Sequence, residues 1–146
     1  MPTARDDLKS RIDAIESGYE YFLAYAAQGL STDQGAKSGG PLRDALKKME
    51  AALDGLAARC RELVADEGLR PEAAWRDLLG VLEADARAAL AAIRLVSALP
   101  GVSSQLIDNL NASIHIRALL TDLFLIDELM KLQVAAAPAR QSEPVE

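Results

Sequence analysis

The stretch that decides the fold is residues 41–63, PLRDALKKMEAALDGLAARCREL. Its apolar side chains recur at alternating spacings of four and three residues, and they are Leu42, Leu46, Met49, Leu53, Leu56, Cys60 and Leu63. This spacing makes one face of an α-helix apolar, because the helix turns by about 100° per residue. Pro41 is tolerated at a first helical position, and Gly68 is typical of a helix end. We therefore predict a helix over residues 41–66.

The same alternation of four-residue and three-residue spacings between apolar side chains predicts three further helices, over residues 4–28, 71–99 and 103–135. Ser103 or Ser104 is suited to cap the last of them, because a hydroxyl accepts from a free backbone amide at a helix start. Short turns join the second, third and fourth helices, so neighbouring helices are expected to run antiparallel. The predicted fold is all-α, an antiparallel four-helix bundle, in a single domain over residues 1–135.

Two segments lack this periodicity. Residues 29–40 are rich in Gly, Ser, Thr and Asp with almost nothing to bury, which predicts a flexible, exposed loop. Residues 136–146 contain two prolines and several polar residues, and we predict that they form a disordered tail.

Composition excludes some classes of partner. The chain has 146 residues and a net charge of -6, which repels nucleic-acid phosphates and anionic lipid head groups. No apolar run approaches the roughly 20 residues needed to cross a bilayer, and the polar N-terminus differs from a signal peptide. We expect a cytoplasmic protein that binds neither nucleic acid nor membranes. The single cysteine, Cys60, lies on an apolar stripe and is expected to be a buried structural residue.

The first and last predicted helices carry apolar residues outside their core stripes. On a helical wheel this second face comprises Ala14, Gly18, Tyr21 and Tyr25 on the first helix and Leu120 and Phe124 on the last. Small residues permit close helix approach, and tyrosines are favoured at interfaces. These residues predict a contact surface for a homodimer or for another protein. The alternative is that the 29–40 loop or irregular packing covers them within the monomer, or that they are apolar residues scattered over the surface.

A polar row follows the last predicted helix, formed by Asp108, Asn111, His115 and Asp122. Apolar residues interleave with this row, so it is expected to lie on a partly buried face. Such a row can bind a small molecule or a metal, and a carboxylate beside His115 would raise its pKa. The alternative is that hydrogen bonds to a neighbouring helix satisfy these side chains. Because a ferritin-like di-iron bundle needs two histidines, we predict no metal and no cofactor.

These observations favour a non-enzymatic interaction or assembly protein, homodimeric through the first and last helices, and they identify no catalytic residue. The alternative is a small-molecule or metal-binding regulatory bundle that uses the polar row. A third class is a histidine phosphotransfer module centred on His115. The residues after His115 lack the lysine and glycine typical of such modules, and Ile114 and Ile116 beside it favour burial.

Overall fold

The computed structural model describes the backbone of residues 3–142 and the side chains of residues 3–133. All regular secondary structure in this part of the chain is helical, which confirms the predicted all-α class. Its six helices are α1 (Ala4–Ala27), α2 (Gly39–Leu53), α3 (Leu56–Glu67), α4 (Glu72–Ala98), α5 (Ser104–Ala112) and α6 (Ile114–Ser142). Among the described residues, no helix combines the length and the apolarity needed to cross a membrane.

Local capping explains two of the helix starts. At α1, the Thr3 hydroxyl accepts from the Asp6 amide at 3.1 Å, and the Asp6 carboxylate accepts from the Thr3 amide at 2.9 Å. This reciprocal pair satisfies two backbone donors that a helix start leaves unpaired. At α5, the Ser103 hydroxyl accepts from the Leu106 amide at 3.0 Å, which confirms the first of the two predicted caps.

The continuous helix predicted over residues 41–66 is wrong, because the chain breaks between α2 and α3. Asp54 is extended, and Gly55 has a positive φ of 79°, a conformation that glycine adopts without steric cost. The Arg11 guanidinium of α1 stabilises the break by donating to the Ala52 carbonyl at 3.0 Å and the Asp54 carbonyl at 2.6 Å. Carbonyls at a helix end have no partner within the helix, so this arginine caps α2.

The helix predicted over residues 103–135 is also wrong in two respects. Ser113 has an extended ψ of 146° and separates α5 from α6, and its hydroxyl accepts from the Ile116 amide at 3.4 Å. At the other end, α6 continues past residue 135 to Ser142, so its backbone includes the start of the predicted tail. Residues 143–146 of that tail lie outside the described residues.

The pattern of helix packing places α2 and α3 between α1 and α4. Both α2 and α3 pack against α1 on one side and α4 on the other. The last two helices divide their contacts, since α5 packs against α1 whereas α6 packs against α4. The side chains on the four predicted apolar stripes meet inside this arrangement, and those of Phe22, Leu46, Leu82 and Leu123 are fully buried.

The connection from α1 to α2 differs from the exposed loop expected over residues 29–40. Its Asp33 is buried, accepts from the Arg43 guanidinium at 2.8 Å and accepts from the Val102 amide at 2.7 Å. Arg43 also donates to the Ser97 and Leu99 carbonyls at 2.9 Å, so it caps the end of α4. The expectation that this connection buries almost nothing is therefore wrong, because its buried Asp33 pairs with half-buried Arg43 of α2 and accepts from the Val102 amide in the α4–α5 turn.

Candidate functional site

The predicted contact face of α1 is largely covered within the chain. Gly18 is buried, and a Cβ added there would lie 2.6 Å from the end of the Met49 side chain on α2. Tyr25 is fully buried and donates its hydroxyl to the Val102 carbonyl at 2.7 Å. Ala14 and Tyr21 are half-buried, and the Tyr21 hydroxyl donates to the Ser38 carbonyl at 3.0 Å. Tyr25 is therefore a core residue, and the small size of Gly18 serves close packing against Met49 within the chain.

The two predicted contact residues of α6 have different environments. Leu120 is buried with 7% of its side chain exposed, whereas Phe124 is 57% exposed. Both line an open groove of about 490 Å³ between α1 and α6. The other side chains that line it are Glu16, Tyr19, Glu20, Arg117 and Thr121. Because exposure of a large aromatic ring to water is unfavourable, this groove is the strongest candidate for a contact surface.

The division of contacts between α5 and α6 explains why this groove is open. α5 packs on α1, where Asn111 donates to the Tyr19 carbonyl at 3.1 Å. After the break at Ser113, α6 packs on α4 instead, and its face toward α1 is left partly uncovered. Phe124 lies on this uncovered part of α6.

The groove is acidic. The pKa of Glu16 is raised, first by burial and then by the negative charges of Asp13, Asp127 and Glu20, while Lys131 opposes the effect. Lys131 itself pairs with Asp127 at 3.2 Å. A raised carboxyl pKa means that the surroundings disfavour another negative charge. Together with the lining residues Glu16, Glu20 and Arg117, this gives the groove one excess negative charge beside its apolar area.

The structure does not bring the predicted polar row together as one site. The break at Ser113 places Asp108 and Asn111 on α5 and His115 and Asp122 on α6. Asp108 is exposed, while Asn111 is buried and makes the structural hydrogen bond to Tyr19. These four side chains would lie on one face only if α5 and α6 formed a continuous helix, and the break at Ser113 separates them.

His115 is exposed, so the burial expected from its isoleucine neighbours is wrong. Ile114 is 74% exposed at the start of α6, whereas Ile116 is buried in the core. Among the described residues, no side-chain hydrogen bond or ion pair involves His115.

Asp122 is half-buried and interacts with Asp85 of α4, a residue that the sequence patterns did not single out. Burial, followed by the hydrogen bond and charge of Asp85, raises the pKa of Asp122 to about 7. The Oδ2 atom of Asp122 is buried, and no described residue donates to it. Two carboxyl groups this close disfavour simultaneous ionisation. The periodicity of a single helix cannot reveal this pair, because Asp122 lies on α6 and Asp85 lies on α4.

No group of three or more histidine, cysteine, aspartate or glutamate side chains within the described part of the chain could hold a metal ion. Comparison with protein-family models, with curated proteins and with solved structures finds no match. The geometry of the chain is therefore the basis for any assignment of function.

Proposed function

We propose that this protein is a non-enzymatic helical interaction protein whose contact surface is the groove between α1 and α6. The observation that carries the proposal is Phe124, a phenylalanine that is 57% exposed beside buried Leu120 in an open groove. Aromatic side chains at the centre of an apolar surface commonly dominate binding energy. Of the six residues predicted for the interface, Leu120 and Phe124 support this location.

We also propose that the six helices are a four-helix bundle in which two helices are broken. The packing supports it, because α2 with α3 lies between α1 and α4, and α5 with α6 connects α1 back to α4. In this arrangement the break at Ser113 is the feature that opens the contact groove.

The contact has two forms, a homodimer through α1 and α6 and a complex with a different protein. Sedimentation equilibrium distinguishes them, since a homodimer gives twice the mass of the chain at high concentration. If the chain is a monomer, the homodimer form is wrong, and proteins that co-purify with it become the binding partners to test.

The substitution Phe124→Ala tests the location of the surface in either form. We expect it to weaken association by about 2 kcal/mol, or about 30-fold, while the free energy of unfolding changes by about 0.5 kcal/mol or less. Leu95→Ala is the matched control, because Leu95 is 67% exposed on α4 and does not line the groove. Equal association of both variants would place the contact surface elsewhere.

A further inference from the structure

The partner that fits the α1–α6 groove follows from the balance of charges around it. Of the charged side chains that line the groove, Glu16 and Glu20 are negative and Arg117 is positive. Lys131 and Asp127, which also act on Glu16, pair with each other and together add little net charge.

The remaining acids have no cation of their own. Among the described residues, Glu16 and Glu20 form no ion pair. Arg117 of α6 is the cation that lines the groove with them. Two carboxylates against one guanidinium leave the lining, which includes Phe124, with one excess negative charge.

A second copy of the chain is poorly suited to this surface. It would present the same excess of negative charge, so the net charges of the two surfaces would repel each other instead of being complementary. Like charges across an interface suppress the wrong partner, whereas complementary charges speed and orient the right one. The occupant should therefore carry positive charge.

The shape of the groove indicates the form of that partner. Residues 16–20 of α1 and residues 117–124 of α6 line the groove, with Tyr19, Leu120 and Phe124 supplying apolar area and Glu16 and Glu20 lying on the α1 side. An amphipathic helix laid between two helices buries its apolar face in such a groove and places its polar residues at the rim.

We propose that the α1–α6 groove binds a cationic amphipathic helix of another protein, with its apolar face on Phe124 and Leu120 and its lysines or arginines beside Glu16 and Glu20. This inference rests on the proposed function, since it names the partner class for the same surface.

The test uses the full chain and two synthetic amphipathic helical peptides. Both peptides have leucine on the apolar face, and they carry either lysine or glutamate on the polar face. Fluorescence anisotropy of the labelled peptides measures the dissociation constants. We expect the lysine peptide to bind at least about tenfold more tightly than the glutamate peptide. Raising the salt concentration from about 50 mM to about 500 mM should weaken the lysine complex, because exposed charges are screened.

The variant Glu16→Gln with Glu20→Gln is expected to weaken lysine-peptide binding about fivefold to tenfold, the sum of two partly exposed charge pairs. Its matched control is Asp66→Asn with Asp77→Asn, which removes the same net charge from exposed positions on α3 and α4. A specific groove weakens only with the first variant, whereas general attraction to an acidic protein weakens equally with both. Circular dichroism confirms that each variant is folded.

The outcomes separate this inference from the proposed function. If Phe124→Ala weakens the complex but Glu16→Gln with Glu20→Gln does not, the groove binds a partner without using its charge. The inference is then overturned, and the proposed function is not. If neither variant affects binding, both the inference and the proposed location of the surface are overturned. A stable dimer that Phe124→Ala dissociates would show that the occupant is a second copy, which also overturns the inference.

Discussion

Replacing Asp122 by asparagine should stabilise this protein, and only above acidic pH. The Asp122 carboxyl on α6 is half-buried beside Asp85 of α4, and its buried Oδ2 atom receives no hydrogen bond from the described residues. Burial and the Asp85 carboxyl raise its pKa from 3.8 to about 7. At pH 8 the folded state therefore holds a negative charge that both the apolar surroundings and Asp85 disfavour.

The size of the effect follows from the shift in pKa. One pKa unit corresponds to about 1.4 kcal/mol, so the rise from 3.8 to about 7 sets an upper limit of about 4 kcal/mol. Because the Asp122 side chain is only half-buried, water screens much of this cost, and we expect about 1–2 kcal/mol.

The pH dependence has a definite sign. Below about pH 4 the carboxyl of Asp122 is protonated in both the folded and the unfolded state, and the penalty is absent. Between about pH 4 and pH 7 the folded state retains a proton that the unfolded state has lost, so stability falls as pH rises. Above about pH 7 the full penalty is present. The variant Asp122→Asn lacks this penalty throughout.

Urea unfolding followed by circular dichroism at about pH 4 and about pH 8 measures the difference. We expect free energies of unfolding that differ by about 0.5 kcal/mol or less at about pH 4 and a gain of about 1–2 kcal/mol for Asp122→Asn at about pH 8. Asp85→Asn should give a smaller gain, because it removes the effect of Asp85 but leaves the burial of Asp122. The double variant should gain less than the sum because the two groups interact. Asp108→Asn, at an exposed position on α5, is the control. A pH-independent effect, or a loss of stability at about pH 8, would refute this account of the carboxyl pair.

Three further predictions concern the core and its connections. Asp33→Ala should lower the free energy of unfolding at neutral pH by about 2–4 kcal/mol, measured by urea titration, because it leaves Arg43 without its buried partner. The pKa of Asp33 is lowered, mainly by Arg43, so this contribution should be lost in the wild-type chain as the pH falls below the usual carboxyl range. Gly55→Ala should lower the free energy of unfolding by about 1–2 kcal/mol because φ is 79° at this residue. The control Gly80→Ala, in open space within α4, should raise it by up to about 1 kcal/mol. Equal melting temperatures for these two variants would contradict the assigned helix break. Burial raises the pKa of the Cys60 thiol to about 12, so a thiol reagent should label this residue only after denaturation, and rapid labelling of the folded protein would contradict its burial.

The sequence predicted much of the local structure because helical periodicity is a property of neighbouring residues. The stripe from Leu42 to Leu63 is buried as expected. So are the side chains that recur at the same spacing in the helix predicted over residues 71–99, namely Trp75, Leu79, Leu82, Ala86, Ala89, Ile93 and Val96. The periodicity could not reveal the break at Gly55, because Leu53 and Leu56 keep the same spacing across it. That break depends on the guanidinium of Arg11, which reaches α2 only after α1 has packed.

The candidate site was predictable in part. A helical wheel placed Leu120 and Phe124 away from the centre of the α6 stripe, and both line the groove. The wheel could not show that α2 covers Gly18, or that Tyr25 turns its hydroxyl to Val102 inside the protein. Whether an apolar side chain is covered depends on its neighbours in space, which a single helix does not specify.

By itself, then, the sequence determined the all-helical class, the faces that become the core, and the absence of a run of apolar residues long enough to cross a bilayer. Tertiary structure alone decided where the helices break, that Asp122 meets Asp85, and that Phe124 remains exposed in an acidic groove. The physical reason is the range of the interactions. Periodic burial acts between residues three or four apart, whereas capping by Arg11, carboxyl pairing and groove formation join helices that are distant along the chain.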